Sequence, residues 1–218
     1  MIVTIDGPAG AGKSSAAKAL AKRLGFEFLD TGAMYRAVTL ASLRSTIDVH
    51  NQEALGTLVA GLRLEMPPGR VLMNGEDVTG LLRTAEITAA SGAIASSPVV
   101  RRRLMELQRE LAAGHNCVCE GRDQGTIVFP DAVCKFFLSA DPEERACRRH
   151  REMLARGERV PWEQVLAAQK ARDARDQARD IAPMIPATDA VLLDSTHLTS
   201  DQVVDRMEQE VRRRLPLV

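Results

Sequence analysis

The sequence predicts an α/β fold, a parallel sheet covered by helices on both faces, on three observations. A short apolar strand, a glycine-rich turn and a helix open the chain. Further short apolar runs then alternate with helical segments to its end. Between them, one stretch switches to the two-residue period of antiparallel hairpins.

The elements follow in order. Met1 to Asp6 reads as a buried strand, and Ser15 to Leu24 as a helix carrying Ala16, Ala17, Ala19, Leu20 and Ala21, with Gly25 as its C-cap. Phe26 to Asp30 reads as a second strand, and Thr31-Gly32 opens a helix through Met34, Tyr35, Val38 and Leu43. From Leu62 to Met66 the residues alternate, Pro67-Pro68-Gly69 turns, and Arg70 to Met73 leads through Asn74-Gly75 to Glu76-Asp77-Val78. Asn-Gly between such runs is a strong hairpin signal, so a small antiparallel sheet is expected here. Helices are expected from Thr84 to Ala95 and from Pro98 to Ala113. Cys117 to Glu120 and Val133 to Leu138 read as buried parallel strands. A charged helix follows, from Asp141-Pro142 to Arg156-Gly157, with Glu143 and Glu144 in its first turn. Pro161 opens a long helix to about Arg179, Ala190 to Asp194 forms a fifth strand, and Ser200 to Leu215 a closing helix.

The turn after the first strand carries most of the chemical information. Gly7-Pro8-Ala9-Gly10-Ala11-Gly12-Lys13-Ser14 is glycine, four residues, then Gly-Lys-Ser. A strand, such a loop and a helix aim backbone N–H groups and a helix N-terminus at a polyphosphate. Lys13 would reach the β- and γ-phosphates, and the Ser14 hydroxyl would hold Mg²⁺. The motif implies a nucleoside triphosphate and leaves the acceptor open.

Composition excludes several classes. The chain has 218 residues, room for one substantial core with small appended lobes, and 45% hydrophobic residues mark it as globular. Lys+Arg and Asp+Glu are both 29, so the basic excess of a general nucleic-acid binder is missing. No apolar run approaches membrane-spanning length, and Met1 leads straight into a strand, so neither a membrane span nor a signal peptide is expected. Cys117, Cys119, Cys134 and Cys147 have no CxxC spacing; buried thiols in a reducing cytoplasm are the expectation.

Arginines fall where an open parallel sheet delivers ligands, at the carboxyl ends of its strands. Arg36, Arg101, Arg122, Arg172, Arg175 and Arg179 lie near loops or on loop-facing helices and together suggest a second phosphate site. For each alone, a solvated surface salt bridge is the better explanation. Arg172, Arg175, Asp176 and Arg179 recur at i, i+3, i+4 and i+7, one helical stripe that is either a salt-bridged helix face or positive charge turned toward transferring phosphates. Arg145, Arg148 and Arg149 on the charged helix are candidate lid arginines, with Gly157 as a hinge. No acidic residue at a strand end stands out as a magnesium ligand.

At this point the chain closely resembles the bacterial cytidylate kinases, of the nucleoside monophosphate kinase group, over essentially its full length. The matching blocks are Thr4 to Pro8 with Gly10 to Lys13; Leu29 to Arg36; Gly75 to Val78; Leu82 to Thr84; Gly121 to Asp123 with Gly125-Thr126 and Val128 to Asp131; Arg172-Asp173 with Arg175-Asp176; and Ala182-Pro183. The resemblance implies a P-loop NTPase-type fold: a five-stranded parallel sheet with helices on both faces, a small inserted antiparallel sheet in the acceptor lobe, and a short helical lid. As a single kinase domain, its core would take about 1–36, 97–140 and 175–218, its acceptor lobe about 37–96 and its lid about 141–174.

It also implies reversible transfer from ATP with Mg²⁺ to CMP or dCMP, by a cytoplasmic monomer. Gly7, Pro8, Ala9, Gly10, Ala11, Gly12, Lys13, Ser14 and Ser15 would bind ATP. Thr31, Tyr35, Arg36, Arg101, Arg122, Asp123, Arg172, Asp176 and Arg179 would bind CMP, with Arg101 and Asp123 on the cytosine edge. Lys13, Arg122, Arg175 and Arg179 would be the catalytic cations. The sequence departs from the family where a base-contacting serine aligns with Gly92, next to Ser91, and where Glu120 replaces a frequent aspartate. The alternatives are another acceptor, a nucleotide switch, for which the base-reading Asn-Lys-x-Asp block is missing, and a nucleic-acid end kinase, which the neutral charge disfavours.

Overall fold

In the computed structural model, residues 1–214 are described. Leu215, the expected last residue of the closing helix, lies outside the described residues. The chain divides into two compact units, Met1–Phe28 together with the chain from His115 onward, and Leu29–Gly114.

The first unit is built on β1 (Ile2–Asp6), α1 (Lys13–Leu24) and β2 (Glu27–Asp30), whose last two residues belong to the second unit. After the second unit come β6 (Cys117–Glu120), β7 (Cys134–Ser139), α6 (Pro142–Ala155), α7 (Trp162–Gln177), β8 (Val191–Asp194) and α8 (Ser200–Arg214). The five strands form one sheet in the order β2-β6-β1-β7-β8. β1 runs parallel to both β6 and β7, with Ile5 opposite Glu120 on one side and Phe136 on the other. The loop after β1 therefore leaves the middle of the sheet's carboxyl edge, where open sheets bind ligands.

One face of this sheet carries the core. Val3, Ile5, Val118, Phe136 and Leu138 pack against Ala16, Ala17, Leu20 and Ala21 of α1 and Val203, Val204, Met207 and Val211 of α8. Each large apolar side chain buried here contributes roughly 1.5–3 kcal/mol. The alanines of α1 let that helix lie close to the strands and hold the loop that precedes it. Gly25 ends α1 in the left-handed conformation, its N–H reaching the carbonyls of Ala21 and Lys22.

The second unit holds α2 (Thr31–Arg44), α3 (Gln52–Gly61), a three-stranded antiparallel sheet, α4 (Ala85–Ser96) and α5 (Pro98–Ala112). The small sheet consists of β3 (Leu64–Glu65), β4 (Leu72–Met73) and β5 (Glu76–Asp77), with Asn74 and Gly75 at positive φ between β4 and β5 as their dipeptide predicts.

Three local features escaped the sequence reading. Helix α3 is broken up in sequence by Gly56 and Gly61, though Asn51 caps it by accepting from the Ala54 N–H at 3.0 Å. Gln124–Val128 forms a single π-helical turn instead of a plain loop. Helix α7 ends at Gln177, so Arg179 lies beyond it. Among the described residues no helix is long and apolar enough to cross a membrane. Cys117, Cys119 and Cys134 are buried free thiols, as expected; Cys147 is half-buried.

Candidate active site

The glycine loop is tied down along its length. Gly7 sits at φ 138°, and a Cβ there would fall 2.0 Å from the Leu138 carbonyl oxygen, so only glycine lets the chain leave β1 beside β7. Lys13 is buried and donates to the Pro8 carbonyl at 2.8 Å, folding its ammonium back over the loop. Arg145 donates to the Ala9 carbonyl at 2.9 Å and to Asp173, whose other carboxylate oxygen accepts from the Ala9 N–H at 3.3 Å. The Ser195 hydroxyl donates to the Ala11 carbonyl at 3.2 Å and is itself held by Arg148 at 3.1 Å. Ser15 is exposed on the first turn of α1.

Burial, with Arg122 and Arg172 nearby, lowers the Lys13 pKa from 10.5 to about 7. Ser14 donates its hydroxyl hydrogen bond to Glu120, the last residue of β6. This pair puts a carboxylate at a strand end against the loop hydroxyl. A separation of 106 residues kept it out of sight. Among the described residues no three His, Cys, Asp or Glu gather into a metal cluster.

A second cationic group lies in the same unit. Asp176 of α7 accepts from Arg122 Nε at 2.9 Å and from Arg179. Burial opposes its ionisation, but Arg122 and Arg179 outweigh burial and hold its carboxyl below the usual range. Asp123 is buried beside this group. Asp6, at the end of β1, accepts from the backbone N–H groups of Gln124 at 2.9 Å and Gly125 at 2.7 Å, and burial raises its pKa from 3.8 to about 6.

The expected arginine stripe is corrected. The inward-facing residues of α7 are Val165, Gln169, Asp173 and Asp176, so its buried charges are negative. Arg122 and Arg145 reach these carboxylates from other elements. Arg175 is exposed, its Nε donating to the Ala171 carbonyl of its own helix at 3.3 Å. Arg172 is half-buried, and its charge acts on both Lys13 and Asp176. Of the lid arginines, Arg145 is buried against the loop, Arg148 holds Ser195, and Arg149 pairs with Glu152 one turn along α6.

The second unit gathers its own set. Asp30 caps α2, accepting from the Ala33 N–H at 2.8 Å, and its carboxylate lies 3.3 Å from Arg36 and 3.6 Å from Arg83. Thr31 is buried at the start of α2. The Arg101 guanidinium lies 5.7 Å from the centre of the Tyr35 ring and donates to the Ala95 carbonyl at 3.1 Å. Ser91 and Gly92 lie on α4, and the Ser91 hydroxyl donates to the Thr88 carbonyl at 3.0 Å.

A glycine-rich loop between a central parallel strand and a helix is an arrangement suited to phosphate groups. Solved structures agree on the fold. A shikimate kinase from Bacteroides thetaiotaomicron superposes with a TM-score of 0.51 at 14% identity, covering 97% of this chain and 98% of its own. A Thermus thermophilus protein does so at 0.50 and 22% identity, covering 100% and 98%. The sequence comparison is more specific. The family model described as cytidylate kinase matches residues 3–213, and the chain belongs to that family. The cytidylate kinase of Citrifermentans bemidjiense is 48% identical over 99% of this chain and 94% of its own length. That of Pasteurella multocida is 40% identical over 100% and 97%.

Proposed function

We propose that this chain transfers the γ-phosphoryl group of ATP to CMP or dCMP, giving ADP and CDP or dCDP. The observation that carries this reading is the presence, in one unit, of two phosphate-handling groups: the loop with Lys13, and the Arg122, Asp176 and Arg179 cluster. One serves the donor; the other suits an acceptor that is itself a phosphate.

Gly7 to Ser15 wrap the donor phosphates with backbone N–H groups, and Lys13 neutralises charge at the transferring group. The acceptor oxygen is already ionised, so no general base is needed, and catalysis consists of positioning and charge neutralisation. Lys13, Arg122 and Arg179 are the cations we assign to that task. Arg175 joins them only if its exposed side chain turns inward. Thr31, Tyr35 and Arg36 are further residues we assign to binding the acceptor. Arg172 and Asp176 hold its ribose and phosphate region, while Arg101 and Asp123 read the cytosine edge. A guanidinium and a carboxylate complement cytosine's acceptors and its N4 donor, and a base that leaves them unpaired is rejected.

The donor set fits Mg²⁺, which takes few protein oxygens and completes its octahedron with phosphate and water. Ser14, with Glu120 beside it, would hold the ion, which would supply charge neutralisation for the bound phosphates. We also assign a monomer, and the three buried free thiols support a reducing cytoplasm.

The test is an acceptor panel with ATP and Mg²⁺. CMP and dCMP should be phosphorylated fastest. A clear preference for UMP, AMP or a non-nucleotide alcohol overturns the assignment.

A further inference from the structure

We propose that Asp6 is a positioning residue for acceptor recognition: its carboxylate pins the backbone after Asp123 to β1 and so sets Asp123 against the base. The inference rests on the reading of Asp123 given under Proposed function.

β1 holds the segment after β6 at two points. On the near side, the Gly121 N–H donates to the Ile5 carbonyl at 3.0 Å. On the far side, the N–H groups of Gln124 and Gly125 both donate to the Asp6 carboxylate, at 2.9 and 2.7 Å. Arg122 and Asp123 are the two residues between these anchors, a short arch whose feet both stand on β1. The far foot has no slack. A Cβ on Gly125 would lie 2.9 Å from Thr4 Oγ1 and 3.2 Å from Lys135 Cδ.

The choice of residue matters. Asp6 is 4% exposed, and burial opposes its charge. Two adjacent N–H donors need two acceptor oxygens, which a carboxylate has and an amide of the same shape does not. The same strand launches the donor loop at Gly7. One side chain thus references the acceptor-reading arch to the strand that aims the donor. Asp123 directly precedes the two anchored N–H groups, so loss of the Asp6 anchor should be read there.

The experiment compares wild type with Asp6→Asn, in which an NH₂ faces one of the two N–H groups. At saturating ATP, kcat/KM for CMP should fall about 10-fold or more, mainly through KM, while KM for ATP stays within about 2-fold. The preference for CMP over UMP should fall about 5-fold, a change that general loosening would not select. In an Asp123→Asn background, the further cost of Asp6→Asn should shrink below about 3-fold, because the two act through one contact.

A folded Asp6→Asn enzyme with unchanged CMP KM and base preference overturns the proposal. So does equal damage to ATP and CMP, or full additivity with Asp123→Asn. If Asp6→Asn does not fold, wild-type hydrogen exchange decides. Protected Gln124 and Gly125 amides support the anchor, and exchange as fast as open-loop amides overturns it. A wild-type enzyme that does not phosphorylate CMP overturns the parent reading and with it the assignment of Asp123, while amide exchange still reports whether the anchor exists.

Discussion

Binding of ATP at alkaline pH should draw a proton onto Lys13. In the free protein this side chain has a pKa of about 7, lowered from 10.5 by burial, then by Arg122 and Arg172. At pH 8 a group of that pKa is about one-tenth protonated. The incoming polyphosphate places several negative charges within about 4–6 Å of the amine and favours its charged form. Binding at pH 8 should therefore take up about 0.9 proton. Isothermal titration in two buffers of different ionisation enthalpy measures this count directly. Lys13→Met, which keeps length and loses the amine, should reduce the uptake to near zero. A wild-type uptake below about 0.3 proton, or the same uptake in Lys13→Met, refutes the reasoning. The same group sets a stability trend without nucleotide. Its folded pKa lies below its unfolded value, so the folded chain binds fewer protons between pH 7 and 10.5. Stability from this group rises with pH across that window, by up to about 1.4 kcal/mol per pH unit, and Lys13→Met should abolish that slope.

Arg179→Ala removes one of two cations on Asp176 and should cost about 2–4 kcal/mol in kcat/KM, whereas exposed Arg175→Ala should stay within about 3-fold; steady-state kinetics that show the reverse order reject the assignment. Gly7→Ala drives a Cβ into the Leu138 carbonyl at positive φ and should lower stability by about 3 kcal/mol or more in urea titration. Arg145→Ala strands the buried Asp173 carboxylate and frees the Ala9 carbonyl; a loss of about 3 kcal/mol is expected, with KM for ATP rising more than KM for CMP. Equal effects on both substrates would remove Arg145 from the support of the donor loop.

Much of the fold was legible because its signals are local. Cys117–Glu120 stands where its apolar run ends, and Asn74-Gly75 turns where the dipeptide demands positive φ. The Gly7 to Ser14 loop between β1 and α1 was legible for the same reason, its glycines, lysine and serine being contiguous. Helix α3 was missed because two glycines dilute a pattern that only the Asn51 cap marks. The arginine stripe misled because four charges at helical spacing say which residues share a face, not which way that face turns. The helix ends before Arg179, and the buried turns of α7 present Gln169, Asp173 and Asp176. The carboxylates that organise the site, Asp6, Glu120, Asp173 and Asp176, were harder still. Each finds its partner across 28 to 164 residues or through backbone N–H groups, which leave no trace in a list of side chains, apart from the i, i+3 pair of Asp176 with Arg179.

Residue type and spacing alone were enough to place the order of strands and helices, the Gly7 to Ser14 loop between β1 and α1, and the inserted antiparallel sheet. These depend on spacing and residue type, which chain connectivity carries. Which donor meets which carboxylate emerges at the level of the packed fold: Arg145 with Asp173, Arg122 with Asp176, and the backbone N–H groups beyond Asp123 with Asp6. Those pairings form where strand ends and helices from distant parts of the chain converge. There burial makes an unpaired charge costly enough to select one partner from many.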